Sequence, residues 1–306
     1  SCHRAGSRNG LARRGTSNLY FLKSLFMSQA SAPQNHGKPP IRIAIAGLGA
    51  IGKSLATRLA AGVVPGVVLC AVSAKNLDNA RAFTATLAHA VKVLPIEALE
   101  AEADVVVECA PAALLPDIIG PFLRAQKIAI VLSVGALLFH PHLITLAKET
   151  GGAILVPTGA LIGLDAMIAA AEGTIHSVSM VTRKPPAGLA GAPHLLEHDI
   201  SIEGLSTPLK VFSGNAREAA KGFPANLNVV VALALAGVGP EKTLLEIWAD
   251  PTVVRNTHTI TVDSDSAKFT MTMENIPSEN PKTGRIVAQS VVAMLRKMTS
   301  TMRVGA

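Results

Sequence analysis

The chain has 306 residues, 49% of them hydrophobic and 16% charged, a composition that excludes a disordered protein and leaves room for one large or two ordinary globular domains. Its formal charge of +7 does not point to nucleic acid: Arg4, Arg8, Arg13, Arg14, Lys23 and Lys38 place +6 in an acid-free first forty residues, leaving +1 for the rest, and one Tyr and one Trp make no stacking platform. No apolar run reaches the roughly 18 residues of a membrane span, with Asp165 interrupting the longest candidate, so neither nucleic acid nor membrane is an expected partner.

Residues 1–39 form a tail rich in Ser, Arg and Asn, without helical periodicity, ending in the polar, proline-bearing "SAPQNHGKPP". Such a segment is expected to stay extended. Its composition fits a transit peptide or an upstream extension, with Met27 as the natural start in the second case. Cys2, Cys70 and Cys109 make an odd count without CxxC spacing, and the last two fall in apolar runs that read as buried strands. This usage points to a reducing, cytoplasmic compartment and away from a disulfide framework or a structural zinc; no metal is expected.

From Ile41 the pattern becomes strand, glycine turn, helix and second strand: "IRIAIAGLGAIGKSLATRLA" followed by "GVVLCAVSA". That is a βαβ unit of about 30 residues, long enough for a right-handed crossover. Continuous apolar runs at 103–110 and 127–134 read as strands covered on both faces, so a doubly wound parallel α/β sheet of the Rossmann type is expected over 40–160. Gly47, Gly49 and Gly52 fit GxGxxG between strand and helix, the context in which this motif binds a dinucleotide. Gly47 permits the turn, Gly49 admits the pyrophosphate, Gly52 lets helix and strand close up, and the N–H groups around Ala50 and Ile51 face the phosphates. A tight turn without a ligand is the simpler alternative. The second strand ends in "AVSAKN", with Ser73 and Lys75 where an NAD-specific fold places an acid, so the cofactor is NAD or NADP with NADP tolerated or preferred.

After about residue 170 the apolar period changes to two. "TIHSVSMVTRKP", "HTITVDSD" and "AKFTMTMEN" alternate as strands with one wet face do, and between them "PANLNVVVALALAGVG" reads as an Ala-rich helix stopped by glycine. An α+β domain with an open mixed sheet is expected over 161–284. The last helix, within 285–303, ends in Arg and Lys and is expected to return to the first domain.

Five ordered blocks in this half, "VPTGALIGLDAM", "VTRKPP", "FSGNAREAAKGFPANLNVVVALALAG", "ADPTVVRNTHTI" and "ENPKTG", together with "GLGAIG", "VVECA" and "SVGAL", resemble the L-aspartate dehydrogenase family from Ile41 to the C-terminal helix. The resemblance implies NAD(P)-dependent oxidative deamination of L-aspartate to iminoaspartate, which becomes oxaloacetate and ammonia or passes toward NAD biosynthesis. It also implies a homodimer. By motif it assigns His258 of "NTH" as the active-site residue, and Asn228 and Ala160 as dinucleotide-binding positions.

Read from the residues alone, His258 shares strand parity with Ile260 and Val262 and faces the apolar side, where a histidine is as a rule part of the core. The chemistry wants a base titrating near 7, first for the amine and then for water adding to the imine. Asn228, in the first turn of its helix, either caps that helix or bonds a nicotinamide amide. Ala160 with Gly159 leaves room for the nicotinamide ring, or simply for close packing. A dicarboxylate calls for cations; Lys282 is the first candidate, with Arg183, Lys184 and Arg255 beside it, Arg255 having strand parity opposite to His258. Asp165, Asp250 and Glu279 are expected to fix local structure. Leu161 and Gly284 depart from the family pattern and are expected to touch the pocket. A dihydrodipicolinate- or homoserine-type reductase and a non-catalytic NAD(P)-binding protein are the rival readings.

Overall fold

The computed structural model describes residues 39–224, 227–276 and 284–305; the tail up to Lys38, Glu279 and Lys282 lie outside them. The first half alternates β1 (Ile41–Ala46), α1 (Ala50–Ala60), β2 (Val67–Ser73), α2 (Leu77–Thr84), β3 (Lys92–Val93), α3 (Leu99–Glu102), β4 (Val105–Glu108), α4 (Leu115–Arg124), β5 (Ile128–Val131), α5 (Pro141–Thr150) and β6 (Ala153–Leu155). Its six strands are all parallel, in the order β3-β2-β1-β4-β5-β6. The order reverses between β1 and β4, and at such a switch point a crevice opens beyond the carboxyl ends of the strands.

The continuous apolar runs follow from burial on both faces. Ala44, Ala46, Val106 and Ala129 point into one core with Ile118, Ile119 and Phe122 of α4, whereas Ile43, Ile45, Val105, Val107 and Ile130 point into a second core with Leu55 and Leu59 of α1. Alternation along each strand thus feeds two helical layers.

The second half contains α6 (Leu164–Ala171), β7 (Ile175–Lys184), α7 (Pro193–Glu197), β8 (Leu209–Asn215), α8 (Ala216–Gly222), α9 (Asn228–Ala236), β9 (Thr243–Ala249), β10 (Asn256–Ser264), β11 (Lys268–Asn275) and α10 (Ile286–Thr299). The strands form a mixed sheet in the order β11-β10-β7-β9-β8, in which β7 and β9 run parallel and the other neighbours antiparallel. Its inner face carries Val178, Met180, Leu245, Ile247, Ile260 and Val262 against Val230, Val231 and Leu233 of α9. The outer face carries hydroxyl pairs, Thr259 with Thr272 and Thr261 with Thr270, which accounts for the period of two. α10 packs Val291, Val292 and Leu295 into the β1 and α1 core, and its Ser290 hydroxyl accepts the Gly159 N–H at 3.1 Å.

Four strands are absent from the sequence reading: β3, β6, β8 and β9. β3 and β6 have two and three residues, too few to show a period. Cys70 and Cys109, in runs read as buried, are free cysteines of intermediate exposure: Cys70 is the residue skipped where the β1–β2 register shifts, and Cys109 lies just past the end of β4.

Candidate active site

The glycine turn is built by close approach. Gly47 adopts φ +104°, its N–H donates to the Ser73 carbonyl at 2.8 Å, and a Cβ there would lie 2.5 Å from the Cys109 carbonyl oxygen. A Cβ on Gly52 would overlap the Gly47 carbonyl oxygen. Gly49 differs: no protein atom lies within 4 Å of where its Cβ would be, so packing within the chain does not explain this glycine. It is the N-cap of α1, which no side chain caps and whose first turn, from Ala50 through Ile51 and Gly52, holds no acid. Free N–H groups beside an open approach are what a pyrophosphate requires, so these residues fit a dinucleotide. A groove of about 680 Å³ runs from this turn past Lys53, Ser73, Lys75 and Asn76.

A second cavity of about 200 Å³ adjoins the turn and is walled by the carboxyl ends of β4 and β5, the Pro157–Ala160 turn, α9 and the inner face of the mixed sheet. His258 projects into it from β10 and is only 4% exposed. Its Nδ1 lies 3.0 Å from Thr182 Oγ1, the residue directly opposite on β7. With the ring proton on Nδ1 and donated to Thr182, Nε2 is the acceptor available to the cavity. Burial, and second to it the charge of Lys184, pushes the imidazole down to about 3. The expectation of a group titrating near 7 is therefore not met in the free cavity, where desolvation disfavours the imidazolium.

Asn228 opens α9, yet its carboxamide does not cap that helix; Oδ1 accepts the Gly135 N–H at 3.0 Å from across the cavity wall. That bond leaves Nδ2 as a donor. The Ala160 carbonyl accepts Asn275 Nδ2 at 3.2 Å, and Gly159 sits at φ +60°, so this turn is held by both β11 and α10. The sequence reading missed Glu108. Fully buried at the end of β4, it accepts the N–H groups of Ala110, Leu132 and Ser133 and the Ser133 hydroxyl at 2.8–3.1 Å, tying the ends of β4 and β5 together at the cavity wall. Burial raises its carboxyl while those four donors oppose the shift. The available signal was a lone acid inside the apolar run "VVVECA".

The candidate cations separate by face. Lys184 lines the cavity at 5% exposure, and burial lowers its ammonium to about 8. Arg183, one residue earlier, points to the other face of the sheet, where it bonds Asp250 Oδ2 at 2.9 Å and lies 4.7 Å from the Trp248 ring centre. Arg255 precedes β10, is exposed and is not among the residues lining the cavity. Asp250 also accepts from the N–H and hydroxyl of Thr252, a local structural role. Leu161 is core rather than pocket, at 2% exposure, whereas Gly284 does line the cavity. Among the described residues no group of His, Cys, Asp and Glu is arranged to hold a metal, and no helix is long and apolar enough to cross a membrane.

Comparison with known proteins agrees with both halves. Residues 165–298 match the family model for the C-terminal domain of aspartate dehydrogenase, and residues 47–157 match that for the NAD-binding domain of homoserine dehydrogenase. The chain is 62% identical over 263 residues to L-aspartate dehydrogenase 3 of Bordetella bronchiseptica, covering 86% of this chain and 97% of that protein. It is 57% identical over 265 residues to the L-aspartate dehydrogenase of Bradyrhizobium diazoefficiens, covering 87% and 94%. The crystal structure of aspartate dehydrogenase from Thermotoga maritima shares the fold, with a TM-score of 0.67 at 24% identity over 87% of this chain and 99% of that one. With a dinucleotide turn in the first half and a buried histidine and lysine facing it from the second, the chain belongs to the L-aspartate dehydrogenase family.

Proposed function

We propose that the protein catalyses the reversible, NAD(P)-dependent oxidative deamination of L-aspartate to iminoaspartate, which water converts to oxaloacetate and ammonia. The observation that carries this reading is one cavity shared by His258, Lys184 and the cofactor-side residues Asn228 and Ala160. The dinucleotide, when bound, supplies the acceptor for the hydride of the substrate α-carbon. Gly47, Gly49, Ala50, Ile51 and Gly52 would hold its phosphates, and Asn228 Nδ2 and the Gly159–Ala160 turn its nicotinamide end.

The chain's own residues then have distinct tasks. Lys184 Nζ pairs with a substrate carboxylate inside a wall that is otherwise largely apolar, where a charge-assisted bond is strong. His258 Nε2 takes a proton from the α-ammonium, freeing the nitrogen lone pair to form the C=N bond as the Cα–H electron pair departs. A substrate carboxylate paired with Lys184 would offset its charge, the lesser of the two causes, after burial, that lower the imidazole in the free cavity. Once that proton has passed to solvent, the same neutral Nε2 takes a proton from the water that adds to the imine carbon. We assign the dinucleotide to residues 40–160, the substrate to 161–284 and a supporting role to 285–303, in a cytoplasmic homodimer that supplies imine or oxaloacetate.

The test is aspartate-dependent formation of NADH or NADPH at alkaline pH, with homoserine and a dihydrodipicolinate-type substrate as controls. Turnover on aspartate is expected; turnover only on a control substrate, or cofactor binding without turnover, refutes the reading.

At the adenosine end, the absence of a carboxylate at the end of β2 and the presence of Ser73 and Lys75 along the groove favour a 2′-phosphate. Binding of 2′,5′-ADP, measured by calorimetry, is expected to exceed that of 5′-AMP about tenfold for a charge-assisted contact, and Lys75→Ala is expected to remove most of the difference. Equal affinities in the parent protein would count against NADP preference.

A further inference from the structure

Among the described residues, a single buried side-chain polar atom lacks any hydrogen-bond partner: Oδ1 of Asn275. The residue is 5% exposed and lines the cavity that holds His258 and Lys184. Its orientation is determined by chemistry, since Nδ2 donates to the Ala160 carbonyl at 3.2 Å and a reversed amide would set two acceptors against each other. Buried acceptors are satisfied as a rule, so an orphan on a residue that lines a site points to a donor that arrives with a ligand.

The register shows which ligand atom is within reach. Asn275 pairs with Asn256 and Met273 pairs with His258, so Asn275 and His258 stand on one face of the sheet as diagonal neighbours across β10 and β11. Such positions have Cβ atoms about 7–8 Å apart, a gap that one small polar group fills. Two other side chains of the wall have their acceptors engaged: the Glu108 oxygens take four donors, and Asn228 Oδ1 takes Gly135. Lys184 is a donor only. On Gly284 a Cβ would come within 3.1 Å of Oδ1, so the glycine leaves the acceptor uncrowded.

We propose that Asn275 Oδ1 accepts an N–H of the substrate's amino group and thereby selects an amino acid over an amine-free dicarboxylate. The inference rests on the aspartate reading above. A neutral acceptor suits the chemistry. A carboxylate at this position would hold the nitrogen as ammonium, whereas a carboxamide keeps it in place through the amine and imine stages and lets His258 Nε2 take the proton. No other residue need move, because Asn275 is already fixed through its Nδ2.

The test compares L-aspartate with succinate, the same dicarboxylate without the amine, as KM and as a competitive Ki, alongside NADPH affinity by fluorescence. Asn275→Ala is expected to raise KM for aspartate about ten- to thirtyfold, the loss of one bond to a charged group, while the succinate Ki and NADPH affinity stay within about twofold. Asn275→Asp also loses Nδ2 but keeps an acceptor, and it is expected to restore discrimination between aspartate and succinate. A merely structural role through Ala160 predicts that both variants fail alike. The proposal is overturned if Asn275→Ala weakens aspartate and succinate equally, if NADPH affinity falls in their place, or if Asn275→Asp, which serves alone should the alanine variant not fold, does not discriminate. A parent protein that does not bind aspartate refutes the functional reading itself, and this inference with it; a parent that discriminates and variants that still do refute the inference alone.

Discussion

Replacement of His258 by alanine is expected to lower kcat for aspartate oxidation by about 10²- to 10⁴-fold, the range for loss of a positioned general base, with NADPH affinity unchanged. The expectation comes from geometry: the ring is 4% exposed, its Nδ1 is held by Thr182, and Nε2 faces the cavity. Because an imidazole held down to about 3 stays neutral across the working range, loss of activity on the acid side is not expected from the free protein's histidine. Steady-state kinetics and NADPH fluorescence titration check this directly. Activity within threefold of the parent protein would remove His258 from the chemistry, since no loss would then correspond to proton transfer.

The second large effect is expected at Lys184. Lys184→Met keeps the length and volume of the side chain and removes the charge, so KM for aspartate should rise about 100-fold, as for loss of a buried charge-assisted contact. Burial lowers the ammonium to about 8, so in the free parent enzyme the charge is present below that pH and lost above it. Affinity for aspartate is therefore expected to fall as pH rises past 8, opposing the gain from deprotonating the amine, and Lys184→Met should abolish this alkaline fall in kcat/KM. Arg183→Ala is the control. Its guanidinium serves Asp250 and Trp248 on the opposite face, so its loss should reduce thermal stability and leave KM within about threefold, there being no contact with substrate to lose. A rise in KM for Arg183→Ala with none for Lys184→Met would reverse the assignment.

The two adjacent cations show how far pattern reading extends. Strand alternation through Val178, Met180 and Thr182 places Lys184 inward and Arg183 outward, but only once β7 is known to stand beside β10 does inward mean toward His258. For His258, parity with Ile260 and Val262 sufficed, since both lie fully buried on the same face. Its proton affinity was not legible in this way, because what lowers it is burial in the folded cavity and, second to it, the charge of Lys184 from another strand about 75 residues away. Asn228 was identified by motif alone; that its carboxamide bonds Gly135, 93 residues earlier, in place of capping its own helix is visible only in the folded chain.

The amino-acid sequence by itself determined what short-range physics controls: the turn whose close approach only glycine at 47 and 52 permits, the parallel strands whose apolar runs require two covered faces, the wet and dry faces of β7, β10 and β11, and the inward side of His258. Tertiary structure alone decided what lies opposite each inward residue. Short β3 and β6 exist only because neighbouring strands offer them hydrogen bonds, and β8 and β9 take their places through pairings with distant segments. Glu108 acquires its four donors, Lys184 its desolvation and Asn275 its open acceptor from the same long-range register. Alternation and steric tolerance are properties of a few consecutive residues, whereas a cavity's polarity belongs to strands that meet only after the chain has folded.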